Sequence, residues 1–589
     1  VRLLPAAVRC LVIATLLGAV AVVAPGSPAA ADLTPPAVAA AKPAAAPLPC
    51  NGPLACADDS AMRTLEQRIQ DNFRFGQAIE IDYRTPERVL GDVASGGAWG
   101  DSALWTGVYL AGESMRYAVA QDKLRLLGPD DGKFKKKDAA EDAARVSWTG
   151  QRDEALTRVR TMANKFHLLS RIGREWHTTL APNTSYNPTS TSGGPPSFGG
   201  GVLQGEEGLL MRACAPDPAK TPDGIGITPN GNKRIFGPFR WEDGVDYYCE
   251  TAPSRDSYAG TLYGLLYAYD LVGKDDPVLR AQIRGDVLVL AGRLVKYGWS
   301  FPRPHGNVSV PKAPVSVPVT GFDGHDFDNF ISPAFMQQVP SARLNVTQSA
   351  RHVAASGTAQ DQQYWDAVWA EESASQLPAL ALSMEVDAFQ PNDGYYKYNL
   401  NHLTMANQIR LETDPAVRDV MKQALAVMDK TTGDDSNAHF ESITYAASGE
   451  PRRVDGAVAH LGQWLDYRHA IESGPVSNSP RCGVTLECVP NAQLDIDENG
   501  TVVTVPDPAA LPPGAKPKLR ARFPLPVAQR APRDFLWQQP PTQLDGADAP
   551  THQAPGIDYL TPYWTIRYFT EVAKPALAPL PAWVGPAHR

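Results

Sequence analysis

The chain has 589 residues and carries 64 Asp and Glu against 55 Lys and Arg, a formal charge of −9. That acidic balance disfavours nucleic acid or an anionic membrane surface as partner, since both demand a basic face. With 43% hydrophobic residues, the chain has enough apolar surface to bury a sizeable core.

At the N-terminus, Arg2 and Arg9 lead into an apolar run over residues 11–23, followed by the small residues Ala29, Ala30 and Ala31. This pattern predicts an export signal over residues 1–31 and a secreted, extracellular protein starting near Asp32. The run is shorter than the ~20 apolar residues a bilayer requires, and no later stretch reaches that length, so no membrane span is expected in the mature chain. Residues 32–57 are rich in Ala and Pro without hydrophobic periodicity, as in a disordered tether.

Loss of Cys10 with the signal leaves six cysteines, an even number suited to an oxidising compartment. The shortest closures pair Cys50 with Cys56, Cys214 with Cys249, and Cys482 with Cys488, although spacing alone does not exclude other connectivities. No Cys-x-x-Cys pair points to zinc or redox work.

Helical spacing then recurs along the chain. Leu104, Val108, Ala111, Met115 and Val119 form one apolar stripe, and Leu156, Val159, Met162, Phe166 and Leu169 another. A third comprises Leu279, Ile283, Val287, Leu290 and Leu294, and shorter stripes follow Tyr258, Asp361, Asn401, Pro415, Val454 and Asp558. Strand-like alternation is best around residues 501–505. Pro- and Gly-dense inserts over 181–201, 301–321 and 506–532 read as rims or lids. The expected fold is mainly α: one large helical domain over 58–575 with a loop insert over 482–532, and a tail over 576–589. Its size favours a closed multi-helix ring over a simple bundle.

Acids and aromatics meet repeatedly at helix starts. In WGDSALWTG, Trp99 and Gly100 precede Asp101, with Trp105 on the helix that follows. Asp101 stands where an N-cap belongs, so it serves either the free N–H groups of the first turn or a reaction. The arrangement returns where Ser254, Arg255 and Asp256 precede a helix bearing Tyr258, Tyr263, Tyr267 and Tyr269. Trp241, Glu242, Asp243, Asp246, Tyr247 and Tyr248 cluster just before Cys249. A fourth group, Asp558, Tyr559, Tyr563, Trp564 and Arg567, fits a packed helix face equally well.

Sugars give this pairing a physical reason. Pyranose C–H faces stack on Trp and Tyr, while the hydroxyls need carboxylate acceptors at the ring edge. Hydrolysis of a glycosidic bond needs two carboxyl groups, one protonated to assist the leaving oxygen and, in the inverting geometry, the other to activate water. Asp101 and Asp256 are the candidate pair, with Asp243 or Glu242 in reserve. Trp99, Trp105, Trp241, Arg255 and Tyr258 are candidate contacts to a polysaccharide or oligosaccharide.

On these residues the chain resembles the six-hairpin, or (α/α)6 toroid, glycosidases and the toroid polysaccharide lyases, over residues 60–475 plus the helix after Asp558. The resemblance implies inner helices that bring acids and aromatics to one open end. The insert over 482–532 departs from a compact toroid, and no single family's acid and base can be carried over.

A lyase would use a Tyr or His base and a group to neutralise a uronate carboxylate. YYKYNLNHL supplies Tyr398, Asn401 and His402, and Arg255 would neutralise; a polar helix start with core tyrosines explains the same segment. In GFDGHDFDNF, Asp323, Asp326 and Asp328 offer oxygen ligands for calcium, or Asp326 lines the cleft, or the loop is merely solvated. Asp495, Asp497 and Asn499 start a similar pattern but meet Pro506 where a calcium loop needs Glu. No cofactor is required by the hydrolytic chemistry. A non-catalytic glycan-binding or envelope protein is the remaining alternative. There is no Gly-x-Ser-x-Gly elbow, phosphate loop or His-Glu-x-x-His helix.

Overall fold

The computed structural model describes residues 62–128, 139–175, 207–299, 340–388 and 395–472, with short gaps, and shorter stretches between 488 and 573. All the described residues fall within one compact unit. The described residues are mainly helical, with eleven α-helices and few, short strands. The helices are α1 (Ser102–Leu126), α2 (Ala139–Arg171), α3 (Arg255–Leu271), α4 (Pro277–Lys296), α5 (Pro340–Ala354) and α6 (Ala359–Ala388). They continue as α7 (Tyr396–Leu411), α8 (Pro415–Thr432), α9 (Ala438–Ser448), α10 (Pro451–Glu472) and α11 (Ile557–Arg567). No described helix is long and apolar enough to cross a membrane.

The anticipated stripes face the core. All five residues of the α1 stripe and all five of the α4 stripe are buried, as are Val159, Met162, Phe166 and Leu169 on α2, with Leu156 partly covered. The odd-numbered helices α1, α3, α5, α7, α9 and α11 are buried along most of their described length, whereas α2, α6, α8 and α10 each keep an exposed face. Among the odd helices, α1 packs on α3, α3 on α5, α5 on α7, α7 on α9, α9 on α11, and α11 on α1, while α3 also packs directly on α7.

Cross-helix contacts fix their directions. Gly107 and Leu104 of α1 meet Gly260 of α3, and Gly107 also meets Gly264, so the residue numbers rise together and the helices run parallel. Asp270 near the end of α3 bonds His352 and Arg410 near the ends of α5 and α7. Ser341 of α5 bonds Asn401, and Gln348 bonds Glu412 just beyond α7. Thr561 of α11 donates to the Val108 carbonyl (3.1 Å), while Lys123 pairs with Glu571 (2.7 Å), further along α1 and just beyond α11. Helices α1, α3, α5, α7 and α11 thus share one direction, and their N-termini lie toward the same end. In contrast α2 runs against α1, because Arg158 reaches Glu113 whereas Arg116 reaches Glu154.

That α1–α2 contact encloses charge. Arg116 bonds Glu66 at 2.7 Å and Glu113 at 3.3 Å, and Arg158 bonds the same two acids. Burial alone would raise the Glu113 carboxyl, but the two guanidinium groups outweigh it and hold it down at about 2.

The strands are local devices. Strands β1 (Phe73–Arg74) and β2 (Gln77–Ala78) form a hairpin, and β3 (Glu80–Tyr83) lies between β4 (Val93–Gly97) and the late β12 (His552–Gln553). The chain also pairs β5 (Ala213–Ala215) and β6 (Ile235–Arg240) with the central β7 (Asp246–Glu250). Cys214 faces Cys249 in the β5–β7 register and forms the expected disulfide with it. Later strands are β8 (Cys488–Pro490) with β11 (Leu519–Ala521), and β9 (Gln493–Ile496) with β10 (Val502–Val505). The β9–β10 pair includes a strand where alternation was anticipated near residue 501. The proposed signal and tether, the pairings Cys50–Cys56 and Cys482–Cys488, and the inserts over 181–201 and 301–321 lie outside the described residues. So do Asp323, Asp326 and Asp328, the suggested calcium ligands.

Candidate active site

The parallel packing of α1 on α3 brings two helix starts together. Asp101 ends the single turn Trp99–Asp101 that leads into α1, and its side chain makes no capping hydrogen bond. The free N–H of Ala103 instead donates to the backbone carbonyl of Arg212 at 3.0 Å. Across from it, α3 is capped by Ser254, whose side chain exchanges bonds with Ser257 in a capping box. Asp256, in the first turn of α3, is therefore not needed as a cap, and it makes no hydrogen bond or ion pair among the described residues. Both acids escape the structural duty that their position suggests.

They act on each other. The Asp101 carboxyl is pushed up to about 7, first by crowding of protein around it and next by the negative charge of Asp256. Arg212 opposes the shift from 3.6 Å, and Glu80 and Glu250 add to it. The Asp101 side chain is still 39% exposed, so one side of the carboxyl opens to solvent while the other is desolvated. The upward direction holds because three neighbouring carboxylates push the same way.

Arg212 is the residue that sequence reasoning missed. Its backbone N–H donates to the Glu250 carbonyl (2.8 Å), its carbonyl receives Ala103, and its guanidinium donates to Ser254 Oγ (3.2 Å). It thus ties the starts of α1 and α3 to the end of β7. The one signal for it was its place two residues before Cys214, because the Cys214–Cys249 bridge sets Arg212 and Glu250 side by side.

Trp99 is half-buried beside the cluster, packed between the Ile79–Ile81 and Ala213–Ala215 patches. Trp105, Arg255 and Tyr258 are buried, Trp105 and Tyr258 within the main core. The group around Trp241 occupies the β6–β7 turn, where its acids are engaged. Glu242 pairs with Arg174, and Asp246 with Arg240; Asp243 accepts from Val245 N–H at 2.9 Å and from the Tyr247 hydroxyl at 2.8 Å. Asp243 serves the turn, and Trp241 carries Arg174 over its ring at 5.0 Å.

Tyr398, Asn401 and His402 lie near the start of α7 and are all buried. His402 stacks on Phe440 at 4.1 Å and bonds the Tyr398 carbonyl through Nδ1 at 2.7 Å. Burial holds its imidazole down at about 4, so it is neutral at physiological pH. Asp558 accepts the indole N–H of Trp464 at 2.8 Å, while Tyr559, Tyr563, Trp564 and Arg567 are buried in the helix packing. Among the described residues no group of three or more His, Cys, Asp or Glu is placed to hold a metal ion.

Comparison with models of protein families, with curated proteins and with solved structures finds no match to this chain.

Proposed function

We propose that this chain is a secreted glycoside hydrolase of (α/α)6 toroid architecture, with Asp101 as general acid and Asp256 as the carboxylate that activates water. The cyclic order of contacts among the six odd-numbered helices supports the toroid, and the even-numbered helices supply an outer layer. The common direction of α1, α3, α5, α7 and α11 supports a single mouth that receives the acid-bearing starts of α1 and α3.

What carries the reaction is the placement of the desolvated Asp101 carboxyl beside Asp256, which has no hydrogen bond or ion pair among the described residues; burial first and the Asp256 charge next push Asp101 up to about 7. A proton held near neutrality is what a leaving glycosidic oxygen needs, and the charge of Asp256 helps keep it there. After the transfer, Arg212 stabilises the Asp101 carboxylate. Half-buried Trp99 supplies a ring for a sugar face. A lyase would need His402 or Tyr398 open to substrate, and both are sealed in the interior.

The test is a screen of the purified mature protein against neutral and acidic polysaccharides, scored for reducing ends and for ultraviolet-absorbing unsaturated products. Release of reducing ends that disappears in Asp101→Asn and in Asp256→Asn is the expected result. Unchanged release in both variants removes the assignment, unsaturated product points to a lyase, and retention of glycan without turnover leaves a binding protein.

A further inference from the structure

The strand β5 has a strand neighbour on one side only, and two side chains from elsewhere in the chain close its other edge. The Cys214 N–H donates to Gln77 Oε1 at 3.1 Å, and the Cys214 carbonyl accepts from Gln77 Nε2 at 2.8 Å. One side-chain amide thus matches both backbone groups of Cys214, as a neighbouring strand would. Lys165 Nζ of α2 donates to the same carbonyl at 2.7 Å and lies over the Tyr247 ring of β7 at 4.5 Å. The disulfide ties Cys214 to β7, and these two residues hold it on the side that the bridge leaves free.

The local sequence brings them there. Gln77 follows the β1–β2 turn, where Phe75 and Gly76 take positive φ of +53° and +77°. A Cβ on Gly76 would lie 3.1 Å from Lys165 Cβ, so the turn sits directly on the Lys165 stem. The next N–H, that of Ala78, donates to Thr106 Oγ1 of α1 at 3.0 Å, so the hairpin bridges α1, α2 and β5. Both Gln77 and Lys165 are buried. An ammonium is a costly filler in such a place, since burial pushes Lys165 down to about 7 against the pull of Asp243. An apolar side chain of similar length would serve packing alone.

Two residues before Cys214, the Arg212 guanidinium reaches Asp101 at 3.6 Å and Ser254 Oγ at 3.2 Å. We propose that Gln77 and Lys165 are positioning residues of the Asp101–Asp256 site: by clamping Cys214 at the open edge of β5, they hold Arg212 between the starts of α1 and α3. The proposal rests on the glycosidase reading of that acid pair. Through Arg212 the clamp limits how tightly Asp101 keeps its proton, and it keeps a cation in place for the carboxylate left after the transfer. Neither residue touches substrate; each acts through the β5 backbone.

The experiment uses the full chain. Gln77→Met keeps the side-chain length and the net charge while removing both bonds to Cys214. Chemical denaturation between about pH 5 and 9, with and without Asp101→Asn in the same background, separates the titration of Asp101 from that of Lys165. The Asp101 midpoint should rise by about 1 pH unit in Gln77→Met, because Arg212 no longer opposes the neighbouring carboxylates. The upper limb of the pH–rate profile should move with it, with kcat down about tenfold and KM within about twofold. Lys165→Met should act in the same direction, whereas Glu113→Gln, destabilised elsewhere on α1, should leave the midpoint in place. If Gln77→Met does not fold, Gln77→Asn, one methylene too short for both bonds, decides by the same midpoint. A lowered Tm with an unmoved midpoint shows a merely structural contact and overturns the proposal. Turnover that needs both acids, with the midpoint unmoved in the Gln77 variants, removes the clamp alone. A shifted midpoint without turnover of any glycan removes the hydrolase reading alone and supports the clamp.

Discussion

A Cβ placed on Gly107 of α1 would stand 2.0 Å from the carbonyl oxygen of Gly260 on α3. The two helices touch backbone to backbone there, and that closeness is what sets Asp101 beside Asp256. Gly107→Ala should force them apart at a cost of about 3 kcal/mol or more, since neither backbone can move aside as a flexible side chain would. Gly112→Ala, whose Cβ would meet Thr561 Oγ1 at 3.2 Å, should be much milder. Urea denaturation of both variants checks the contrast.

The raised carboxyl of Asp101 has consequences for pH. Because its folded value lies above the unfolded one, the folded state binds the extra proton, and the associated stability is present below about 4 and lost as pH rises through about 7. Asp101→Asn should therefore gain stability relative to wild type at pH 8 and lose that advantage at pH 4. Glycan hydrolysis should fall over the same upper range as the acid gives up its proton. Denaturation at the two pH values, with a pH–rate profile, measures both effects.

His402 titrates with the opposite sign. Its folded value of about 4 lies below the ordinary 6.5, so it contributes stability at neutral pH that is lost as pH falls from about 6.5 through 4. The full difference is on the order of 3 kcal/mol. His402→Asn should cost more at pH 7.5 than at pH 4.5, as read by chemical denaturation at each pH.

Reduction should loosen the site before the core. Replacing Cys214 and Cys249 together by Ser removes the tie behind Arg212 and Glu250 and should cost roughly 2–5 kcal/mol. Loss of hydrolysis should appear at lower denaturant than loss of helical circular dichroism, because the bridge holds the β5–β7 ladder and not the helix packing.

Buried charge holds the opposite side of α1. Glu113→Gln leaves Arg116 and Arg158 short of a buried partner and should destabilise by about 3–5 kcal/mol, whereas Asp153→Asn on the exposed face of α2 should change stability by under about 1 kcal/mol. Thermal denaturation of the two variants separates a buried network from a solvated pair.

The helices legible in the sequence were those with an apolar stripe. Two escaped. Helix α5 buries Asn345, Thr347, Gln348 and Ser349, and α9 buries His439, Glu441, Ser442 and Thr444. Each sits among other helices on all sides, so its polar residues face protein and no alternation of apolar and polar faces develops. The same inversion hid Arg212, which reads as an ordinary surface cation beside a cysteine.

By itself the sequence determined the segments that coil with an apolar stripe, and that Cys214 could join Cys249, because periodicity and chain proximity are local properties. It also marked Asp101 and Asp256 as acids at helix starts. Only the tertiary structure decided that neither is consumed as a cap, that parallel packing sets them in one electrostatic field, and that Asp243 is committed to its own turn. Those outcomes depend on which backbone groups from distant segments arrive to satisfy each helix end, and no local pattern encodes that arrival.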